Sequence, residues 1–171
     1  MKTSSGAVLK LEPVAVGDTR FRDWMRRYRE ETSGEPAPDA WLNHYLEVLF
    51  AEQGKRRHIW WGVDASRKVG FAVVVMTKHW ADQAKTIAQV GEFFIYPEFR
   101  REGMGRRMAE ALLEWLKANG AVEIQSGVVA GNLRGLRFWE AVGFQIARYA
   151  LVYRPDRPRE SDEEEEEEEE E

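Results

Sequence analysis

A short run of arginines and glycines, Arg100 to Gly105, has the composition and position of a phosphate-binding loop. It follows an apolar, strand-like stretch at 90–96 and precedes a helix-like stretch at 106–119. The first amide N–H groups of a helix have no carbonyl partners and lie at the positive end of its dipole, so they stabilise an anion. Gly103 and Gly105 have no Cβ, which lets a phosphate approach the main chain closely. The plain alternative is a glycine turn that binds no ligand.

The spacing of the two glycines distinguishes this loop from other nucleotide-binding patterns. Neither G-x-G-x-x-G nor G-x-x-x-x-G-K-[ST] fits it. It resembles the acetyl-CoA-binding signature Q/R-x-x-G-x-G/A of the GNAT superfamily of N-acetyltransferases, with Arg100, Gly103 and Gly105 at the defining positions. The strand before the loop, and the later block of Asn132 with residues 138–144, resemble that family in the same order. The resemblance extends over about residues 69–153.

The resemblance implies that acetyl-CoA binds in a V-shaped opening between the strand that ends at Tyr96 and a strand that begins near Glu123. An unpaired backbone N–H, expected at Ile95, would bind the thioester oxygen and stabilise the charge that develops there. Backbone amides of the loop would hold the pyrophosphate, Asn132 would bind the pantetheine arm unless it is only a turn residue, and Trp139 would lie beside that arm. The expected cofactor-binding residues are Ile95, Arg100, Arg101, Gly103, Met104, Gly105, Arg106, Asn132 and Trp139.

A base is required because an acceptor amine that is protonated at neutral pH must lose a proton before it attacks. Glu92 is the first candidate, since it lies three residues before Ile95 on the same predicted strand. Alternation places its side chain on the face opposite Ile95, among aromatic residues, where desolvation would raise the pKa of the carboxyl group. The alternative is an ordinary solvent-facing or ion-paired glutamate. Glu123 is a second candidate, further from the expected thioester.

The chain departs from the family pattern at the position of the general acid. Many relatives carry a Tyr that can protonate the departing thiolate, but here Phe138 is followed by Trp139, whose indole N–H is not a useful acid. The thiolate can take its proton from solvent or from the acceptor instead. Tyr149 and Tyr153 are the remaining candidates for this role.

Hydrophobic periodicity and turn residues predict an α/β domain with a mixed, mostly antiparallel sheet and helices on both faces. The resemblance identifies this as the GNAT-like acyl-CoA N-acyltransferase fold. Asp18 is predicted to cap a first helix and Asp39 a second, and the two helices are expected to form a hairpin. Strands are predicted at 8–16, 58–63, 69–77, 90–96, 123–129 and 144–152, and further helices at 105–119 and 133–142.

Acidic residues are concentrated at the end of the 171-residue chain. Residues 160–171 hold 11 of the 30 acidic residues and no Lys or Arg, so residues 1–159 carry 25 basic against 19 acidic residues. A basic body suits a polyanionic coenzyme, although a mildly basic surface needs no ligand. We therefore expect a domain at 1–155 and a disordered, solvated acidic tail at 156–171.

Composition also limits the chemistry. There is no cysteine, which excludes disulfides, thiolate metal sites and a Cys nucleophile. The histidines are isolated, so no metal site is expected. No apolar run approaches the ~20 residues of a membrane span, and we expect a cytoplasmic protein. Basic clusters at 26–29 and 55–57 do not form a nucleic-acid-binding stripe.

The sequence predicts an N-acetyltransferase that moves an acetyl group from acetyl-CoA directly to a primary amine. A non-catalytic acyl-CoA-binding or sensing module is the alternative. The expected partners are acetyl-CoA and the amine, without nucleic acid, membrane or metal, and a homodimer stays open. Polyamines, aminoglycosides, amino acids, peptide N-termini and lysine all remain compatible as acceptors. Tryptophans in the first half of the chain would favour a cationic or apolar amine if they lined a pocket, although core packing explains most of them.

Overall fold

A computed structural model describes residues 9–156 of the chain. Within this range, the chain forms both strands and helices, as expected of an α/β domain. The elements are β1 Lys10–Pro13, α1 Thr19–Ser33, α2 Asp39–Ala51, β2 Arg57–Asp64, β3 Arg67–Lys78, β4 Thr86–Ile95, α3 Met104–Ala118, β5 Ala121–Ser126 and α4 Leu133–Val142, with a 3-10 turn at Pro97–Phe99. The predicted tail at 156–171 lies outside the described residues, apart from Asp156.

The strands form one sheet in the order in which they occur along the chain. β1 to β4 are antiparallel to their neighbours, and β5 is parallel to β4. A parallel pair requires a crossover connection, which α3 provides here. The prediction of a mixed, mostly antiparallel sheet is confirmed.

Each face of the sheet carries its own core. On one face, Phe21 and Met25 of α1 and Leu42 of α2 are fully buried against β2 and β3. On the other face, α3 buries Met108 and Leu112 against β3 and β4. The spacing of four residues within each helix puts both side chains on one stripe, and burying each contributes about 1.5–3 kcal/mol. The predicted helices on both faces are therefore confirmed.

Several local predictions are also confirmed. The side chain of Asp18 caps α1 by accepting a hydrogen bond from the Phe21 amide at 2.9 Å. β2 and β3 form an antiparallel hairpin, and its tight turn holds Ala65 and Ser66 at positive φ values of 45° and 69°. That backbone shape matches the twist of the two strands.

Asp39 does not cap α2 as predicted. It is the first helical residue, Pro38 occupies the cap position, and no side chain caps this end of the helix. The carboxylate of Asp39 instead pairs with Arg26 and Arg22 of α1. Attraction to two guanidinium groups directs this side chain towards the neighbouring helix, and an acid in the first turn also suits the helix dipole.

The predicted last strand at 144–152 does not form. This segment has no regular secondary structure, and Tyr149 and Leu151 are 83% and 95% exposed. The Arg148 side chain donates to Gln125 of β5, but no backbone ladder joins the described part of this segment to that strand. A preference for strands reflects packing on a half-buried sheet, and the exposed side chains here lack that packing. The first strand is also shorter than predicted: among the described residues it spans Lys10–Pro13, and Pro13 has no N–H to extend a ladder.

Candidate active site

A β-bulge at Gly91 sets the direction of the candidate base. On β3, Val73 pairs with Glu92 and the next residue pairs with Val90, so Gly91 has no partner across the ladder. Side chains alternate along a strand, so the extra residue reverses the faces of the residues that follow. Val90 faces the core under α3. The bulge therefore moves Glu92 to the face covered by α1 and α2.

An opening in the sheet lies beside the last part of β4. The ladder between β4 and β5 ends at the pair of Val90 and Ser126. On the opposite side of β4, the Tyr96 amide donates to the Val69 carbonyl at 2.9 Å. Because backbone groups alternate in direction along an antiparallel strand, the adjacent Ile95 directs its N–H away from β3 and into the opening. The resemblance implies an unpaired N–H at Ile95, and its contact with a thioester oxygen stays a prediction.

The start of α3 offers backbone N–H groups close to that opening. Gly103 occupies the cap position with φ of 75°, and no side chain caps the helix. An added Cβ at Gly103 would meet nothing within 4 Å, so its requirement for glycine comes from the backbone angle and the space in front of it is open. Arg101 also has a positive φ, of 65°, which is strained for an arginine. The geometry suits an anion at this helix end.

Gly105 has a different requirement from the one that the sequence indicated. An added Cβ would lie 3.2 Å from the Phe138 ring and 3.6 Å from Ile95. Helix packing against α4 therefore explains this glycine without a ligand. Of the two glycines in the loop signature, Gly103 has the open space that close approach of a phosphate requires and Gly105 does not.

The Arg100 side chain connects the loop to the strand and to α1. Its Nε donates to the Ile95 carbonyl at 2.8 Å, and its Nη2 lies 2.7 Å from Glu31. The guanidinium also lies over the Phe94 ring at 5.2 Å. These contacts satisfy the Ile95 carbonyl and position the loop. Its direct contact with coenzyme stays a prediction.

Other predicted loop residues differ in exposure. Arg101 is exposed, and Arg106 is exposed and pairs with Glu110 at 3.0 Å. Met104 is buried, and its sulfur lies 3.4 Å from the Arg107 guanidinium. The backbone amides of this loop and first turn therefore reach the surface while the Met104 side chain anchors the helix below it.

Glu92 lies in a polar cluster between β4 and the first two helices. Tyr45 of α2 donates a hydrogen bond to its carboxylate, and Arg29 of α1 lies 3.8 Å away. The Glu92 side chain is 13% exposed. Burial, with the negative charge of Glu92, raises the pKa of Tyr28 and of Tyr45 well above the ordinary tyrosine value. Both phenols therefore stay protonated and can serve as hydrogen-bond donors.

Asn132 and Trp139 have structural contacts in α4. The side-chain oxygen Oδ1 of Asn132 caps the helix by accepting a hydrogen bond from the Gly135 amide at 2.9 Å, which supports its role as a turn residue. Trp139 is 8% exposed, and its ring packs against Phe93 and Phe144 at 5.1 and 4.9 Å. It belongs to the core under α3. Contact of either residue with the pantetheine arm stays a prediction.

The alternative residues considered from sequence lie away from the opening. Glu123 is exposed and sits opposite Ile87, next to a register shift in the ladder between β4 and β5 and away from the opening. Tyr149 and Tyr153 are 83% and 78% exposed in the irregular C-terminal segment. Glu92 is thus the better-placed carboxylate, and neither tyrosine is held beside Ile95.

The sequence did not single out Arg29, Tyr28 or Tyr45 as site residues. The spacing of Trp41 and Tyr45 could have indicated this cluster, because residues four apart share one face of a helix. In the structure the two rings stack at 4.8 Å. Arg29 lies over both rings, at 5.0 and 5.2 Å. Trp24 and Trp61 instead pack together in the core, as expected for most of the tryptophans.

A groove continues along the same face of the sheet beyond Glu92. Gln89 on β4 and Gln125 on β5 pair with one another and form part of its floor, next to the start of the opening. Val75 and Lys78 of β3 and the exposed Trp80 complete the wall. The Glu123 carboxylate lies at the edge of this groove, where it accepts a hydrogen bond from Gln125.

The sheet thus opens between β4 and β5, beside the glycine-containing start of α3. The model of the acetyltransferase (GNAT) family matches residues 19–144, and the chain belongs to that family.

Relatives agree with this assignment. The chain is 24% identical over 132 residues to mycothiol acetyltransferase of Corynebacterium glutamicum, covering 76% of this chain and 43% of the relative. It is 34% identical over 59 residues to ribosomal protein bS18-alanine N-acetyltransferase of Salmonella typhimurium, covering 34% of this chain and 40% of the relative. The chain thus spans less than half of the length of either curated relative.

Solved structures show the same fold. An aminoglycoside acetyltransferase from an uncultured soil metagenomic sample, in complex with trehalose, superposes with a TM-score of 0.62 and 16% identity. The match covers 86% of this chain and 97% of that chain. Within residues 9–156, no helix is long and apolar enough to cross a bilayer, and no group of three or more potential ligand side chains is close enough to hold a metal.

Proposed function

We propose that the protein is an N-acetyltransferase that transfers an acetyl group from acetyl-CoA directly to a primary amine. The observation that carries this proposal is the Ile95 N–H, which faces the opening beside β4 while the uncapped start of α3 lies a short loop away. One site can thus offer donors to a carbonyl oxygen and to a diphosphate. We also propose a cytoplasmic location, where acetyl-CoA is available.

The donor site would use mainly backbone groups. The amides of Arg101, Gly103, Gly105 and Arg106 would bind the pyrophosphate, and the open space at Gly103 fits such a group. Acetyl-CoA supplies the activated acetyl group as a thioester. The Ile95 N–H would bind the carbonyl oxygen, where a fixed donor stabilises developing negative charge.

Glu92 would accept the proton of the acceptor amine. Its position three residues before Ile95 corresponds to about 10 Å along the strand, so a water molecule or the bound amine must link the two positions. The protonated Tyr45 and Tyr28 would hold the carboxylate in place. A phenol with a raised pKa keeps its own proton, so it donates a hydrogen bond to Glu92 and does not take up the proton of the amine. Glu92 is therefore the base in our proposal.

Neither tyrosine considered for the general acid, Tyr149 or Tyr153, is held beside the opening. Trp139 occupies the position of the family Tyr and is buried, and Tyr149 and Tyr153 are exposed. In our proposal the leaving thiolate takes a proton from solvent or from the acceptor. The same observation favours the second candidate function, a module that binds acyl-CoA and acts on a partner without catalysis.

Thiol release distinguishes the two candidates. Both predict that acetyl-CoA raises the melting temperature, because a ligand that binds only the folded state stabilises it. Only the enzyme predicts release of free coenzyme A that depends on an added amine. Mass analysis of the amine then shows whether an acetyl group was transferred. Melting-temperature shifts without amine-dependent release would support the binding module and exclude the enzyme.

A further inference from the structure

Arg29 presents unused hydrogen-bond donors next to the proposed base. Its guanidinium is held over the Trp41 and Tyr45 rings, and its Nη1 lies 3.8 Å from the Glu92 carboxylate, beyond hydrogen-bonding distance. Within residues 9–156, the guanidinium makes no hydrogen bond, although it has five N–H donors. The side chain is 34% exposed. The two rings hold the guanidinium in place and leave its donors available to a ligand.

The separation of Arg29 and Glu92 restricts the complementary ligand. A positive and a negative group lie within 4 Å of each other on the protein, so a ligand that pairs with both must hold an amine and a carboxylate equally close together. One or two carbon atoms between nitrogen and carboxyl carbon give that spacing, as in a free α-amino acid. In a peptide N-terminus the α-carboxyl group is an amide, so only a peptide that begins with Asp keeps a carboxylate at this distance. The lysine side chains of proteins have none.

The adjoining groove is a second, independent indication. Its lining residues include Lys78 and His79, and the Glu123 carboxylate at its edge accepts a hydrogen bond from the lining residue Gln125. A polyamine or an aminoglycoside carries several positive charges, and its recognition favours acidic side chains along the binding surface. The groove is better suited to a neutral or apolar substituent, which Val75 and Trp80 can contact.

We propose that the acceptor is a small amine with a carboxylate one or two carbons from its nitrogen, and that Arg29 binds this carboxylate. This inference rests on the proposed acetyl transfer. The neutral amine nitrogen forms a bond to the acetyl carbon as the carbon–sulfur bond breaks. The sulfur leaves with the electron pair, and the surplus proton of the amine passes to Glu92. Arg29 determines specificity because a guanidinium can bind a carboxylate through two parallel hydrogen bonds.

Matched substrates test the inference on the full chain. Each set contains an L-amino acid, its amide and the corresponding amine without the carboxyl group, for example leucine, leucinamide and 3-methylbutylamine. Spermidine and an aminoglycoside complete the panel. We expect kcat/KM from thiol release to be roughly tenfold to a hundredfold higher for the amino acid than for its amide, the range of one charge-assisted contact. An amide or a polyamine that is acetylated as well as the amino acid would overturn the inference and leave the proposed function intact.

A variant then assigns the preference to Arg29. Arg29→Gln is expected to bring the ratio of amino acid to amide close to one, while Arg29→Lys keeps part of it. Arg20→Gln is the matched control, because Arg20 is exposed on the same helix and loses the same charge. A shift in melting temperature with acetyl-CoA shows that each variant folds. A preference that persists in Arg29→Gln would overturn the inference, and absence of acetylation with every amine would overturn the proposed function as well.

Discussion

The phenolic hydroxyl of Tyr45 donates a hydrogen bond to the carboxylate of Glu92, which joins α2 to the strand that borders the opening. Arg29 of α1 approaches the same carboxylate, so all three elements meet at this one side chain. Glu92 reaches this position only because the bulge at Gly91 reverses the alternation of β4. Its surroundings fix the carboxylate, as expected of a group that must receive a proton from a bound amine.

Replacement of Glu92 tests its role as the base. Glu92→Gln keeps the shape of the side chain but removes its ability to accept a proton, and we expect kcat to fall about 100-fold near neutral pH. The loss should shrink at high pH, where more of the amine is already neutral. Glu123→Gln is the control, because Glu123 is exposed beside Ile87 in the paired part of the sheet. An unchanged pH–rate profile in Glu92→Gln would remove Glu92 from the mechanism.

The tyrosines beside Glu92 predict a specific dependence of stability on pH. Burial and the charge of Glu92 raise the pKa of Tyr28 and Tyr45 in the folded state. Above pH ~10, tyrosines of the unfolded chain lose their protons while these two keep theirs. The unfolded state is then favoured, so the free energy of unfolding falls as the pH rises through ~10 and beyond.

Urea unfolding between pH 8 and 11 measures this effect. We expect Tyr28→Phe and Tyr45→Phe each to flatten the decrease, because phenylalanine has no proton to lose. Tyr149→Phe is the control, since Tyr149 is 83% exposed. The free energy of unfolding could instead decrease equally with pH in the wild type, Tyr28→Phe and Tyr45→Phe. That result would show that the pKa of neither phenol is raised.

Gly103 tests the start of α3 as the pyrophosphate site. Gly103→Val places a β-branched side chain at φ of 75°, in the space where a phosphate would bind, and we expect acetyl-CoA affinity to fall at least about 100-fold. Gly120→Val is the matched control, because Gly120 has φ of 90° and equally open surroundings at the opposite end of the helix. Both variants carry similar backbone strain of about 1–2 kcal/mol. If calorimetry gave equal affinities for the two, this helix end would not be the binding site.

Arg100 is expected to support the loop through its contacts with Ile95 and Glu31. Arg100→Gln removes both, and we expect the free energy of unfolding to fall by about 1–2 kcal/mol and acetyl-CoA to bind more weakly. Arg106→Gln is the comparison, because its ion pair with Glu110 is exposed and should contribute less than ~1 kcal/mol. A larger loss of stability for Arg106→Gln would contradict this account of the loop.

Local chemistry explains which features could be predicted from the sequence. Asp18 caps α1 because a cap depends on residues only three positions apart. The loop before α3 was identified from the spacing of its glycines, and Gly103 has the positive φ that only glycine adopts easily. The face of Glu92 was predicted from alternation within the last part of β4, where the strand is regular.

Tertiary contacts explain the remainder. Asp39 pairs with arginines of α1 instead of capping α2. Residue 105 must be glycine because Phe138 of α4 packs against it. Strand propensity at 144–152 did not produce a strand, because a ladder needs a neighbour that the sequence pattern does not reveal. In the sequence, Arg29 does not differ from the neighbouring arginines of its basic cluster. Only the packing of α1 against α2 brings it over Trp41.

Amine-dependent release of coenzyme A by the full chain tests most directly whether the β4 opening binds a thioester and directs it to an amine. The assay uses saturating acetyl-CoA and a panel of amino acids, amides and polyamines, with mass analysis of each amine. We predict release of one thiol for each N-acetylated amine, together with loss of this activity in Glu92→Gln near neutral pH. Thiol release that never exceeds spontaneous hydrolysis with any amine, despite measurable binding of acetyl-CoA, would contradict the claim.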